Sequence, residues 1–230
     1  MSIMAPIGGL PGVRSPRSVA HRIVFRDGVF DCELSGGKVI DGTLSRDQGN
    51  TGDVDVLRAG KLMGKVTSSG KYAPSVLGVT GGAYSGGTSL TVSSAAAAEI
   101  VRRIGATGTF KIAGPPSAGG ALAVETVTYS AVSGTTVTIT ALTNAYVSGS
   151  LILPTDGSEN MTTLIPDGHG VKVTDVDGTS QDTYFDRLPI GGVILASQIV
   201  DWPSDTALRA FIVGRMNTQG MGKFVFDHLY

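Results

Sequence analysis

The stretch from Leu122 to Leu142 constrains this chain most. Val127, Tyr129 and Ala131 alternate with Thr126, Thr128 and Ser130, and Val137 and Ile139 alternate with Thr136, Thr138 and Thr140. Successive side chains of a strand point to opposite faces, so this period-two pattern describes two strands with one buried face each. Val132-Ser133-Gly134 supplies the turn between them, and the whole predicts a β-hairpin.

The same grammar recurs along the chain. Asp27-Gly28 separates Arg22–Phe25 from Val29–Leu34, an Asp-Gly hairpin signal. Ser35-Gly36-Gly37 and Asp41-Gly42 flank Lys38-Val39-Ile40. Leu57 to Pro74 reads as a surface hairpin, with strand positions at Leu62, Met63 and Val66, a turn at Thr67–Gly70, and Lys71-Tyr72 resuming the strand. Thr109–Ile112, Val147–Leu153, Asn160–Ile165, Val171–Thr174 and Gly222–Phe226 add further strands, and Tyr184–Ile190 and Gly192–Leu195 supply apolar material for the body. With 33 glycines in 230 residues, turn residues far exceed ordinary usage. The fold class predicted is mostly β.

One convincing helix interrupts it. Ala95 to Ile104 has strong helix formers, Ser94 as N-cap, Arg102 and Arg103 suiting the C-terminal dipole on a solvated face, and Gly105 to end it. A short second helix is expected over Asp205–Val213, capped by Ser204. Ser93–Leu153 then reads as a small α+β subdomain inserted into a β-rich body formed by residues 21–92 and 154–230. The Gly/Ser/Thr-rich Thr80–Val92 reads as a loop ending in a short strand, with linker-like composition that suits a domain boundary. Residues 1–20 read as an extended N-terminal arm. Pro6, Pro11 and Pro16 exclude a helix, while Ile3, Met4, Ile7 and Leu10 suit a segment lying in a groove of a partner.

Composition narrows the function. Charged residues are sparse at 16% and the formal net charge is −1, which gives no footprint for nucleic acid or an anionic membrane. No apolar run is long enough to span a bilayer, and no secretory signal is legible. Cys32 is the single cysteine, so no intrachain disulfide forms; in its strand pattern it reads as a small buried hydrophobe.

The sites that chemistry would need are incomplete. Gly64 to Lys71 resembles a phosphate loop, but its glycines are one residue too far apart and Tyr72 stands where the hydroxyl belongs. His21, His169 and His228 have no metal-ligand spacing. Asp175-Val176-Asp177-Gly178 opens like a calcium loop, without the later acidic ligands, and reads as a turn. Trp202 suits either an interface anchor or a core plug. The expectation is a protein that is not an enzyme and holds no cofactor or metal.

Ser45-Arg46-Asp47-Gln48, followed by VLRAGKLMGKVTSSGKYAPSVLG at Val56–Gly78, resembles the head decoration (capsid cement) proteins of tailed bacteriophages, the lambda-type family. That resemblance implies a small β-rich protein, trimeric at local threefold positions, that binds the outside of the expanded head and locks neighbouring major capsid protein subunits. It implies synthesis in a bacterial cytoplasm and residence on the virion surface. The expected contact residues are Ile3, Met4, Ile7 and Leu10 of the arm, with Ser45, Arg46, Asp47, Leu62, Met63 and Tyr72. A tail, baseplate or fibre protein is the alternative, since Gly/Thr-rich β modules serve there too. A carbohydrate-binding module is disfavoured by the 6% aromatic content.

Overall fold

A computed structural model describes residues 22–26, 32–33, 38–116, 121–166, 168–185, 188–219 and 224–227, with Cys32, Glu33 and Gln219 as backbone only. The arm residues Ile3, Met4, Ile7 and Leu10 lie outside the described residues, as does the Asp27-Gly28 turn. The fold is mostly β, as expected. In chain order the first strands are β1 (Cys32–Glu33), β2 (Lys38–Ile40), β3 (Val56–Leu57), β4 (Leu62–Lys65), β5 (Tyr72–Pro74), β6 (Gly78–Val79) and β7 (Ser89–Thr91). Helix α1 (Ser94–Arg103) follows, then β8 (Gly108–Gly114), β9 (Ala123–Ser133), β10 (Thr136–Ile139) and β11 (Leu151–Leu153). The chain finishes with β12 (Met161–Leu164), β13 (Val171–Lys172), β14 (Thr183–Phe185), β15 (Pro189–Leu195), α2 (Thr206–Gln219) and β16 (Phe224–Asp227).

The hairpin read from Leu122–Leu142 is present as β9 and β10, turning at Gly134, whose φ of 57° lies in the left-handed region. It belongs to a six-stranded sheet ordered β6-β11-β8-β9-β10-β7. The two outer strands of that sheet then meet. Thr80, next to β6, bridges Val92, next to β7, and Ser93 N–H donates to the Val79 carbonyl at 3.0 Å. The sheet therefore closes on itself as a small barrel. Its interior is one apolar cluster, with Leu90, Phe110, Ile112, Val127, Val137, Tyr146 and Ile152 packed against Ala96, Ala97 and Ile100 of α1. On the outside, Thr126, Thr128, Thr136 and Thr138 are exposed, as the alternation requires.

This barrel corrects the expected boundary at Ser93. The unit begins near Leu77, because Leu77, Tyr84, Leu90 and Val92 belong to its core and β7 pairs with β10. Thr80–Val92 does end in the expected short strand, β7, but that strand is part of the barrel wall and no boundary follows it. Its glycines and serines mask a short alternation, with exposed Ser89 and Thr91 around buried Leu90 and Val92. Helix α1 is capped by Ser93, not Ser94: Ser93 Oγ accepts from Ala96 N–H at 3.2 Å.

The body is built from both flanking segments. A five-stranded sheet runs β12-β4-β5-β2-β14, β13 pairs β3, and β15 lies between β1 and a parallel β16. Of the described residues flanking Asp27-Gly28, Phe25 bridges Ile194 and Cys32 pairs with Gly191, both of β15. Helix α2 connects β15 to β16. Asp205 caps it, not Ser204, accepting from Ala207 and Leu208 N–H at 2.8 and 3.0 Å. It runs past the expected end at Val213 because Leu208, Ile212 and Met216, four residues apart, stay in the core.

The β4–β5 hairpin exists, but it is no surface hairpin. It is central in its sheet, and its faces meet two different cores. Leu62 packs with Leu164, Ile194 and Ile212 on one side, while Met63 and Tyr72 pack with Ile40, Leu57 and Val173 on the other. The first of these cores also contains Ala113, Leu151 and Leu153 from the barrel wall. Barrel and body thus share apolar packing.

Candidate functional site

The segment Ser45–Gln48 and the strands after it do converge, and they form a buried charged junction. Asp47 is fully buried. Its carboxylate accepts a two-pronged pair from Arg58, Nε to Oδ2 at 2.6 Å and Nη2 to Oδ1 at 2.9 Å. Lys61 Nζ lies 3.7 Å from Asp47 Oδ1 and 3.0 Å from Asp201 Oδ2 in ionic contact, and donates to Asp201 Oδ1 at 3.3 Å. Arg22 adds a further cation nearby and donates to the Gln198 carbonyl at 2.6 Å. Burial pushes the Asp47 carboxyl up, but the Arg58 hydrogen bond and the Lys61 and Arg58 charges outweigh it and hold the group below its ordinary value. Burial likewise pulls Lys61 down, and Asp201 and Asp47 overcompensate, leaving the ammonium above its ordinary value.

A second set of charges ties α1 to the body. Arg102 pairs with Glu99 and donates to the Thr43 and Leu44 carbonyls at 2.6 and 3.0 Å. Gln48 Nε2 donates to Glu99 Oε2 at 3.3 Å. Arg103, with its side chain 1% exposed, donates to the Pro74 carbonyl, Asp156 Oδ2 and Ser158 Oγ at 2.6, 2.8 and 2.6 Å. Lys111 on β8 pairs with Glu159 at 2.8 Å. The arginines expected on a solvated face are clamps between the barrel's helix and the body.

Between these layers lies a cleft of about 290 Å³, bordered by Arg46–Gly49, Val76–Val79, the start of α1 and Val200–Pro203. Arg46, Arg58 and Lys61 face Asp47, Glu99 and Asp201 there, so the wall charges cancel. Trp202 borders the cleft and packs toward the body core, stacked on Phe226 with ring centroids 5.7 Å apart and with Arg209 6.0 Å above its ring.

The expected contact residues are placed differently from what a partner surface needs. Ser45, Asp47, Leu62, Met63 and Tyr72 are buried inside the chain. Arg46 is consumed by the Gly42 and Ser45 carbonyls, Ser180 Oγ and Asp55. The motif holds its own fold together, because charged residues inside an apolar strand region must find partners when buried. Arg58, Lys61, Glu99, Arg103 and Asp201 were missed. The signal was Arg58 and Lys61 standing within the apolar run Val56–Met63.

Asp175 Oδ1 accepts from Asp177 and Thr179 N–H at 2.9 and 2.8 Å, closing a turn. Among the described residues no cluster of three His, Cys, Asp or Glu is arranged to hold a metal ion, and no helix is long and apolar enough to cross a membrane. No protein-family model, curated protein or solved structure matches this chain.

The junction sets the pH response. Asp47 and Asp156, the latter held down by Arg103 and Ser158 against the opposing effect of its burial, both sit below 3.8 when folded. Their stabilisation is complete above the unfolded carboxylate value of about 3.9 and is lost as pH falls through the depressed folded values. Lys61, raised above 10.5, contributes fully below the unfolded value of about 10.4 and loses its contribution as pH rises through the folded one. Urea midpoints should therefore be flat from roughly pH 5 to 9 and fall on both sides. A midpoint that climbs steadily across that window would contradict the assignment.

Proposed function

We propose that this protein is a structural decoration protein of a phage head, binding the outer surface of the expanded shell as a trimer and bridging neighbouring major capsid protein subunits. The observation that carries the reading is the resemblance at Ser45–Gln48 and Val56–Gly78. What the fold adds is mechanical suitability. A closed barrel and a body share apolar packing and are clamped by Arg102, Arg103 and Lys111. A part that stiffens a shell must transmit load without yielding internally, and this one spends its charged groups on internal ties. Cement action follows from mass action: a ligand of the expanded shell alone stabilises that state.

With Leu62, Met63 and Tyr72 buried, the shell contact in this reading falls to the arm, through Ile3, Met4, Ile7 and Leu10. Each such side chain buried against a partner contributes roughly 1.5–3 kcal/mol before ordering costs. Heads assembled without the protein should rupture at lower temperature than complete heads. A chain lacking Met1–Gly12 should fold normally and fail to restore that temperature. Depleted heads as robust as complete ones would exclude the cement role, and density confined to the tail in images of whole virions would favour a tail protein.

A further inference from the structure

Lys61 is the buried reactive group that nothing in the shell-binding reading uses. Its side chain is 7% exposed and its amine contacts both oxygens of Asp201, at 3.0 and 3.3 Å. A second carboxylate, on fully buried Asp47, stands 3.7 Å from the same nitrogen. The two segments are 140 residues apart in sequence, yet their backbones are fixed against one another. Val200 N–H donates to the Gly60 carbonyl at 3.1 Å and Gly60 N–H to the Ile165 carbonyl at 2.7 Å. Gly60 has a φ of 87°, and a Cβ there would lie 2.3 Å from the Gln198 carbonyl oxygen, so the approach depends on glycine.

We propose that Lys61 and Asp201 are the two ends of an intramolecular amide cross-link, formed by the folded chain itself. Reacting atoms held about 3–3.5 Å apart in a rigid frame react as a pre-paid encounter. The resting pair is ionic. In the reactive form the Lys61 ammonium has given one proton to the Asp201 carboxylate it contacts, and the free amine attacks Cγ of the resulting carboxylic acid. Rotation about the broad Cβ–Cγ torsion of Asp201 turns the face of its carboxyl group toward the nitrogen. A C–N bond forms and one C–O bond breaks. The departing hydroxyl takes one proton from the attacking nitrogen, so one water leaves. One cation and one anion become one neutral amide, and no oxidant or co-reactant is consumed.

The test is the intact mass of the purified full chain, followed by a protease digest. The expected result is a mass lower by one water, with a branched peptide joining the segment around Lys61 to that around Asp201. Lys61→Arg keeps the charge and cannot form the amide, so it should have its full sequence mass. Asp201→Ala, which removes the acyl group, should likewise have its full sequence mass. A folded wild-type chain that keeps its full mass after prolonged incubation at neutral pH overturns the proposal. So does a missing water that maps to an Asp-Gly backbone succinimide, with Lys61 still free to react with an amine reagent after unfolding. Neither outcome bears on shell binding, which is measured separately on heads.

Discussion

Replacing Asp47 by alanine is expected to cost about 3–5 kcal/mol of folding stability, the range seen when one partner of a buried ion pair is removed. Asp47 is fully buried and accepts three hydrogen bonds from Arg58 alone, counting the backbone N–H at 3.3 Å. Its loss removes the one carboxylate that hydrogen-bonds Arg58 among the described residues and leaves Lys61 paired with Asp201, in a region also holding Arg22. With total stability commonly 5–15 kcal/mol, such a loss would leave much of the chain unfolded at modest temperature. Asp47→Asn keeps acceptor geometry without the charge and should cost less. Urea unfolding of the three proteins measures this. A loss below about 1 kcal/mol for the alanine variant would place Asp47 with exposed pairs and contradict its role as a junction.

Excising the barrel should have a comparable or larger effect. The sequence alone suggests that Ser93–Leu153 can be replaced by a short Gly/Ser linker to leave a soluble body, since long insertions close at small entropic cost. The packing says otherwise. Leu151, Leu153 and Ala113 are fully or almost fully buried in the body's own core. Removing the two leucines alone forfeits roughly 3–6 kcal/mol of burial. The deletion also strips Asp156 and Ser158 of Arg103, Glu159 of Lys111 and the Thr43 and Leu44 carbonyls of Arg102. A cut at Ser93 additionally strands Leu77, Tyr84, Leu90 and Val92, whose core is gone. The expected product is insoluble or a partly folded chain lacking a cooperative melt. A soluble, cooperatively melting body would show that barrel and body are separable after all.

These two cases also mark what a sequence of this kind discloses. Period-two alternation reveals β9 and β10 because one face of that hairpin meets water, so the pattern has two sides. The β4–β5 hairpin was located but misplaced in depth: a strand covered on both faces loses its alternation and reads merely as apolar, as Leu62-Met63 does. The α1 cap moved by one residue because adjacent Ser93 and Ser94 are chemically equivalent until the backbone chooses between them. Helix α2 was cut short at Gly214, whose intrinsic cost is outweighed by the tertiary burial of Met216. For the junction, residue types were visible but their meeting was not. Asp47, Arg58 and Lys61 are neighbours in sequence, whereas Asp201 joins them only through the return of the chain from β15.

That return has a consequence for how the molecule is made. The body's sheet joins strands from opposite sides of the barrel: Leu62 faces Leu164 across β4 and β12, and Ile40 faces Thr183 across β2 and β14. A chain emerging from the ribosome at about 5–20 residues per second therefore carries an incomplete body for seconds while the barrel is synthesised. The barrel's hairpins need only near neighbours, but the Gly78–Ile152 pairing of β6 with β11 must wait for the whole unit. Closing the barrel brings its two ends side by side and so delivers the second half of the body to the first. The order of synthesis makes the barrel the template on which its host domain is assembled.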